Sequence, residues 1–299
     1  MSAKIKKARS GTRPTPAQWG FMLLFVLPPL CGFVFMTVIP MITSAYTSFF
    51  DYSGYGEMTF LGWDNYKTLF SDPHFGNAVI NDLIILLGKE LMIVVLAVFF
   101  ALTVTRLRFS KGETNVLRFV FYLPNILSSV VIAKMWKYFF DLNLFGIITG
   151  LEQPNNGWIA EYPLAIITFV ASWCGIGGFM IILIAAINNV SNELYEAAEM
   201  DGAGQWRQLF SITIPLVWPQ IKYMITSIIL SIVGSNMNFV KLFIGDGTGS
   251  FTVMGVYEYD YAFTRFRMGY ANAVAVVLMI ATLIVTYLLN YVIMKKEDD

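Results

Sequence analysis

The sequence predicts an all-α polytopic membrane protein with about six transmembrane helices, and two observations carry that expectation. Of 299 residues, 57% are hydrophobic and only 13% charged, with a mean hydropathy of +0.62; a soluble domain carries roughly 25% charged residues. The apolar residues also gather into about six runs long enough to cross a hydrocarbon core ~30 Å thick, which takes roughly 20 residues of helix. A formal net charge of +0 leaves no basic field to draw nucleic acid. Cys31 and Cys174 both fall inside apolar runs and do not resemble a disulfide framework.

Residues 1–18 form a basic segment containing Lys4, Lys6, Lys7, Arg9 and Arg13. The apolar run behind it outlasts a signal peptide's core of roughly 7 to 15 residues and lacks a small-residue cleavage site, so it reads as a retained first span. The spans are expected near Trp19 to Tyr46, Ala78 to Val104, Leu117 to Phe140, Tyr162 to Asn188, Pro219 to Phe243 and Ala271 to Met294. They lie within a transmembrane domain of residues 19–294 that precedes a tail of 295–299. Alternating them across the bilayer gathers Lys4 to Arg13, Arg106, Arg108, Lys111, Arg118, Arg207, Lys222, Lys295 and Lys296 on one side. By the positive-inside rule that side is cytoplasmic and holds both termini.

Three connections fall on the external side: 47–77, 141–161 and 245–268. The first is rich in aromatics (Tyr52, Tyr55, Trp63, Tyr66), the second holds Pro154, Asn155, Asn156 and Trp158, and the third holds Gly245, Gly247 and Gly249. These aromatics suit either an interfacial belt or a docking surface for an extracellular partner. His74, the only histidine, reads as a solvated loop residue.

The cytoplasmic connection 191–218 is the most unusual segment, being polar, helix-prone and longer than a turn between spans requires. Ser191 or Asn192 can cap a helix whose first turn carries Glu193, and Gly202 and Gly204 suit its end. Trp206, Leu209 and Phe210 then form an amphipathic turn that Pro215 is expected to stop. Two short helices around a glycine corner, with thin Ala197 and Ala198 beside Glu196 and Asp201, suit entry into a cleft on another protein.

These residues resemble the EAA loop of bacterial ABC importer permeases, here Glu196, Ala197, Ala198, Asp201, Gly202, Ala203, Gly204, Phe210, Ile212, Ile214, Pro215 and Pro219. Leu123-Pro124, Ser172-Trp173, Gly234-Ser235 and Met268-Gly269-Tyr270-Ala271 extend the likeness over most of the chain, which is similar to MalF-type permeases of carbohydrate uptake. The resemblance implies a type I ABC importer permease fold. It implies as partners a second, MalG-type permease, two cytosolic ATPases that bind ATP and Mg, and an extracytoplasmic sugar-binding protein. In that family the loop docks into the ATPase, so Glu196, Ala197, Ala198, Asp201, Gly202, Ala203, Gly204, Phe210 and Pro215 are the expected coupling residues.

No phosphate-binding glycine loop and no His-Glu-x-x-His or Cys-x-x-Cys motif is present, so no ATP hydrolysis and no metal are expected of this chain itself. Position against the family's motifs makes Asn125, Ser129, Ser172, Trp173, Gly175, Ser231, Ser235 and Asn238 the candidate wall of a midplane sugar cavity. Packing of helices through small residues is the competing reading for each serine or glycine. Ala171 stands where relatives often carry a larger or polar residue. No candidate is a cation, which predicts a neutral ligand unless Lys134 turns inward. Asp82, Lys89 and Glu90 in the second span read as an inter-subunit or interfacial polar contact; as a proton relay they would instead serve a secondary transporter of a sugar or amino acid.

Overall fold

The structure, a computed structural model, describes residues 16–106, 110–230, 236–245 and 251–295, and among these it is helical nearly throughout. Among the described residues four helices are long and apolar enough to cross a membrane: Trp19–Thr47, Pro73–Thr105, Pro163–Asn188 and Met268–Leu288. The expected third span, by contrast, is bent, and residues 231–235 of the expected fifth lie outside the described residues.

Pro16–Phe33 (α1) passes through a π-helical turn at Val34–Val38 into Ile39–Thr47 (α2). Large apolar side chains along this first span stay exposed within the single chain, Phe21, Leu24, Phe35 and Met36 among them, as a face turned to lipid or to another subunit would be. A small antiparallel hairpin follows, Phe50–Asp51 (β1) with Thr59–Phe60 (β2), Phe50 standing opposite Phe60. Asn65 in Asp64–Ser71 (α3) ties it down, its Nδ2 donating to the Ser48 and Phe50 carbonyls at 2.8 and 3.0 Å.

The long helix Pro73–Arg106 (α4) has 34 residues, a rise of about 51 Å that exceeds the hydrocarbon thickness. Lys111–Ile126 (α5) starts with a capping box: the Glu113 amide donates to Ser110 Oγ at 3.3 Å and the Ser110 amide to Glu113 Oε2 at 2.8 Å. A straight span from Leu117 to Phe140 is not what forms. Leu127 and Ser128 are extended, and Ser128 Oγ accepts from the Val130 amide at 3.3 Å to cap Ser129–Asp141 (α6). A hydroxyl cap satisfies a donor at a helix start in mid-run, and the two helices meet at 100°.

Leu144–Thr149 (α7) and Trp158–Glu161 (α8) lead to Pro163–Asn188 (α9), then Asn192–Met200 (α10), Gln205–Gln208 (α11), Ile214–Leu216 (α12), Trp218–Leu230 (α13), Met237–Ile244 (α14), Met254–Tyr259 (α15) and Met268–Lys295 (α16). Two cores share α9. Near Pro163, Ile167 and Val170 pack with Ile132 and Phe140 of α6, Trp158 of α8 and Val240 of α14. Near Asn188, Met180 and Leu183 pack with Ile93 and Ala97 of α4 and Met224 of α13. A third cluster joins Leu69, Phe75, Tyr257 and Tyr270. The α5–α9 contact is close enough to demand glycine: a Cβ on Gly177 would collide with the Phe121 carbonyl.

Candidate functional site

Two places in the fold carry functional geometry, the loop after α9 and a cavity beside the middle of α9. In the loop, Ser191 is the cap of α10 and accepts from the Glu193 amide at 3.3 Å. The helix ends in a Schellman motif: the Ala203 amide donates to Ala198 O at 2.8 Å and the Gly202 amide to Glu199 O at 3.0 Å. Gly202 has φ +75°, a left-handed conformation that glycine adopts without the steric cost other residues meet.

Two polar contacts brace this corner. Buried Tyr195 shares a hydrogen bond with Thr213 Oγ1 at 3.0 Å, Gln208 Nε2 donates to the Ala203 carbonyl at 3.0 Å, and Gln208 itself is buried. Pro215 does not stop the second helix as the sequence suggested. A π-helical turn at Leu209–Thr213 changes the hydrogen-bond register ahead of it, and Pro215 sits in the first turn of α12, where its missing N–H is tolerated. Glu196, Ala197, Asp201, Gly202, Gly204, Phe210 and Pro215 are exposed; Ala198 and Ala203 are half-buried. Met200 is 89% exposed and Trp206 76%, and the Trp206 and Phe210 rings stack with centroids 6.4 Å apart. A rigid corner thus presents a bare apolar face, the form of a docking element.

The cavity, of about 310 Å³, is lined by Lys89 and Ile93 of α4, Asn125 of α5, Ala171, Cys174, Gly175 and Phe179 of α9, Ser227 of α13, Asn236, and Phe239 of α14. Its wall brings residues of α4, α5, α13 and α14 against α9. Asn125 and Gly175, both expected in such a wall, are in it; Asn125 Nδ2 donates to the Cys174 carbonyl at 3.2 Å. The other candidates have different neighbours. Ser172 is fully buried and donates to the Thr168 carbonyl of its own helix at 2.6 Å. Trp173 stands edge-on to Trp136, centroids 5.5 Å apart, and Asn238 Nδ2 donates to Ser129 Oγ at 3.4 Å across α6 and α14. Ser231, Ser235, Gly247 and Gly249 lie outside the described residues.

Lys89, Ser227 and Asn236 are polar wall residues outside the candidate set, although the seven-residue step from Asp82 to Lys89 already put those two charges on one helix face. Nor are Asp82 and Lys89 the inter-subunit contact expected of them. Asp82 and Lys89 are 5% and 7% exposed inside the single chain. The Asp82 oxygens accept from Asn236 Nδ2 at 3.1 Å and the Met254 amide at 2.7 Å, while neighbouring Asn81 Nδ2 donates to Thr252 O at 2.8 Å. Both oxygens hold backbone-defining donors, an arrangement for anchoring rather than for relaying protons.

Just before the start of α4, Asp72 accepts from Tyr257 Oη at 2.7 Å, Tyr261 Oη at 3.2 Å and the His74 amide at 2.8 Å, and Tyr257 shares a further bond with Tyr270 at 2.7 Å. Burial alone would raise the Asp72 carboxyl, but the donors from Tyr257, the His74 backbone and Tyr261 outweigh it and hold the group below the usual carboxylate range. Burial and these same bonds push the Tyr257 phenol far up, so it stays protonated. His74 is exposed.

The family described as "Binding-protein-dependent transport system inner membrane component" matches residues 93–297, which include the coupling corner and most of the cavity wall. The chain belongs to this family. As a permease of that kind it is a multi-pass membrane component of a transporter rather than a catalytic subunit. A probable ABC transporter permease protein of Bacillus subtilis is 32% identical to it over 87% of this chain and 91% of the relative. The probable starch degradation products transport system permease protein of Thermoanaerobacterium thermosulfurigenes is 28% identical over 92% and 94%. The permease also shares its fold with a chain of a bacterial ABC transporter involved in import of the acidic polysaccharide alginate, with TM-score 0.80, 22% identity, and coverage of 92% of this chain and 95% of that one.

Proposed function

We propose that this permease forms half of the translocation path of an ATP-driven sugar importer with an oligosaccharide as cargo. The loop face lies in the cytosol with both termini, as the positive-inside count expects. The observation that carries the reading is the braced corner at Gly202 with Met200, Trp206 and Phe210 bare beside it. Family membership supports it, as does the sugar transport named for relatives such as the Thermoanaerobacterium permease.

In this reading two cytosolic ATPases bind ATP and Mg²⁺ and hydrolyse the nucleotide, and this chain binds neither. Closure of the ATPase pair pushes the corner; Tyr195 and Thr213 keep its two helices together, so the push passes to α9 and α13. A second, MalG-type permease completes the path, and an extracytoplasmic sugar-binding protein delivers cargo to the opposite face. The cavity beside Asn125 and Gly175 receives the sugar, its amides matching hydroxyls and Phe239 giving an apolar face.

The test is affinity purification of the tagged permease from its native host in a gentle detergent, with mass spectrometry of what accompanies it. A cytosolic ATPase, a second permease and a sugar-binding protein are expected. Recovery of the chain alone in several detergents would overturn the reading.

A further inference from the structure

The expectation of a neutral cargo stood on a candidate wall without a cation, and the cavity contradicts that premise. Lys134 is exposed and is not in the wall. Lys89 is in it, and among the described residues it is the charged side chain that lines this space. We infer that the cavity takes a saccharide carrying a carboxylate, a uronate-containing oligosaccharide whose acid group meets Lys89; this rests on the sugar-permease reading above.

The chemistry of the wall selects the class. A monoanion suits a single ammonium, whereas a phosphate dianion calls for a second cation or an arginine fork, and among the described residues neither lines this cavity. The remaining polar groups, Asn125, Asn236 and Ser227, are neutral partners for sugar hydroxyls. At about 310 Å³ the space is near the lower end of ligand cavities, roughly 300–1,000 Å³, so it seats the acidic end of a chain rather than a long polymer.

The carboxylates that act electrostatically on Lys89 within the chain are Asp82 and Glu90. Neither lines the cavity, and both Asp82 oxygens already accept from Asn236 and the Met254 amide. Asp82 thus lessens the cost of burying the ammonium without facing the ligand. An ammonium has three donors, so a contact inside the chain and one to cargo are compatible. Lys89 therefore acts as a specificity determinant, discriminating acidic from neutral sugars of the same shape.

The experiment compares host cells carrying the chain with a strain lacking it. Both are incubated in a defined mixture of neutral di- and trisaccharides (malto-, xylo-, cello- and galacto-series) and uronate counterparts containing galacturonate, glucuronate, mannuronate or guluronate. Depletion of each sugar is followed by mass spectrometry. Chain-dependent depletion confined to the uronates is expected. Chain-dependent depletion of neutral sugars with the uronates untouched overturns the inference while leaving the sugar permease standing, and no chain-dependent depletion at all removes both.

Lys89→Met is expected to lower uronate uptake about 10- to 100-fold, the loss that follows from removing one charge-assisted hydrogen bond. Lys89→Arg is expected to stay within a few-fold, both at equal membrane abundance. Full uronate uptake by Lys89→Met overturns the role of Lys89. If that variant does not accumulate in the membrane, the depletion pattern of the unaltered chain still decides the cargo class.

Discussion

The Asp82 carboxylate accepts the Met254 amide at 2.7 Å across 172 residues of chain. That bond joins the second long helix to the first turn of α15, and the companion bond from Asn236 joins it to the start of α14. One side chain thereby fixes the segments on both sides of residues 246–250. Asp82→Ala leaves two buried donors without an acceptor, each costing about 1–3 kcal/mol. The melting temperature of the detergent-solubilised chain is expected to fall clearly for Asp82→Ala and less for Asp82→Asn, which keeps one acceptor. An unchanged melting temperature for Asp82→Ala would remove the anchoring role.

A pH dependence follows from Asp72. Its carboxyl is depressed in the folded chain, so the bonds from Tyr257, Tyr261 and the His74 amide stabilise fully above the unfolded value of about 3.9. That stabilisation is lost as pH falls through the lower, folded value. The melting-temperature difference between the unaltered chain and Asp72→Asn is therefore expected to be present near neutrality and to shrink in strongly acidic buffer. A difference that grows on acidification would contradict the sign.

Gly202 separates local strain from docking. A Cβ there meets nothing within 4 Å, yet φ is +75°, so Gly202→Ala costs only about 1 kcal/mol through the backbone. Gly202→Glu adds a bulky charge at the bare corner. The expected outcome is near-normal uptake for the alanine variant, and for the glutamate variant ATP hydrolysis uncoupled from transport at unchanged membrane abundance. Normal coupling in Gly202→Glu would sink the docking role of the corner.

Trp206 supplies a complementary test, since it is 76% exposed and stacks only loosely on Phe210. Trp206→Ala is expected to leave thermal stability within about 0.5 kcal/mol, as exposed positions do, while lowering co-purification of the ATPase. Loss of folding instead would show that the ring serves the chain's own packing.

Gly177→Leu is expected to reduce yield of folded protein sharply, because even its Cβ overlaps the Phe121 carbonyl and α5 must move off α9. Size-exclusion profiles of the solubilised variant report this. A monodisperse peak with unaltered melting would mean that the two helices are not packed at this point.

What was legible in the sequence was what local chemistry fixes. Ser191, Glu193 and Gly202 delimit α10 through caps and a left-handed turn, and those signals act within a few residues of themselves. Pro215 misled because a π turn earlier in the chain removed the conflict its ring would create. The bend at Leu127–Ser128 hides inside an apolar run, where hydropathy sees only continuity. The cavity wall was harder still. Ser172 has a suitable hydroxyl, but its own Thr168 carbonyl takes it. Lys89 was read with its helix neighbours, and nothing along one helix tells which of its faces meets a cavity formed with several others.

Helix α9 has a mechanical consequence. Its 26 residues make a rod of about 39 Å, with the loop helix α10 starting just past its end. Because both cores clasp this one rod, a push that crosses the short turn at 189–191 and reaches Asn188 would meet no further joint along α9. Its sides, Gly175 among them, form part of the cavity wall, so under the proposed function a stroke at one end would reshape the cavity from within, as a piston does.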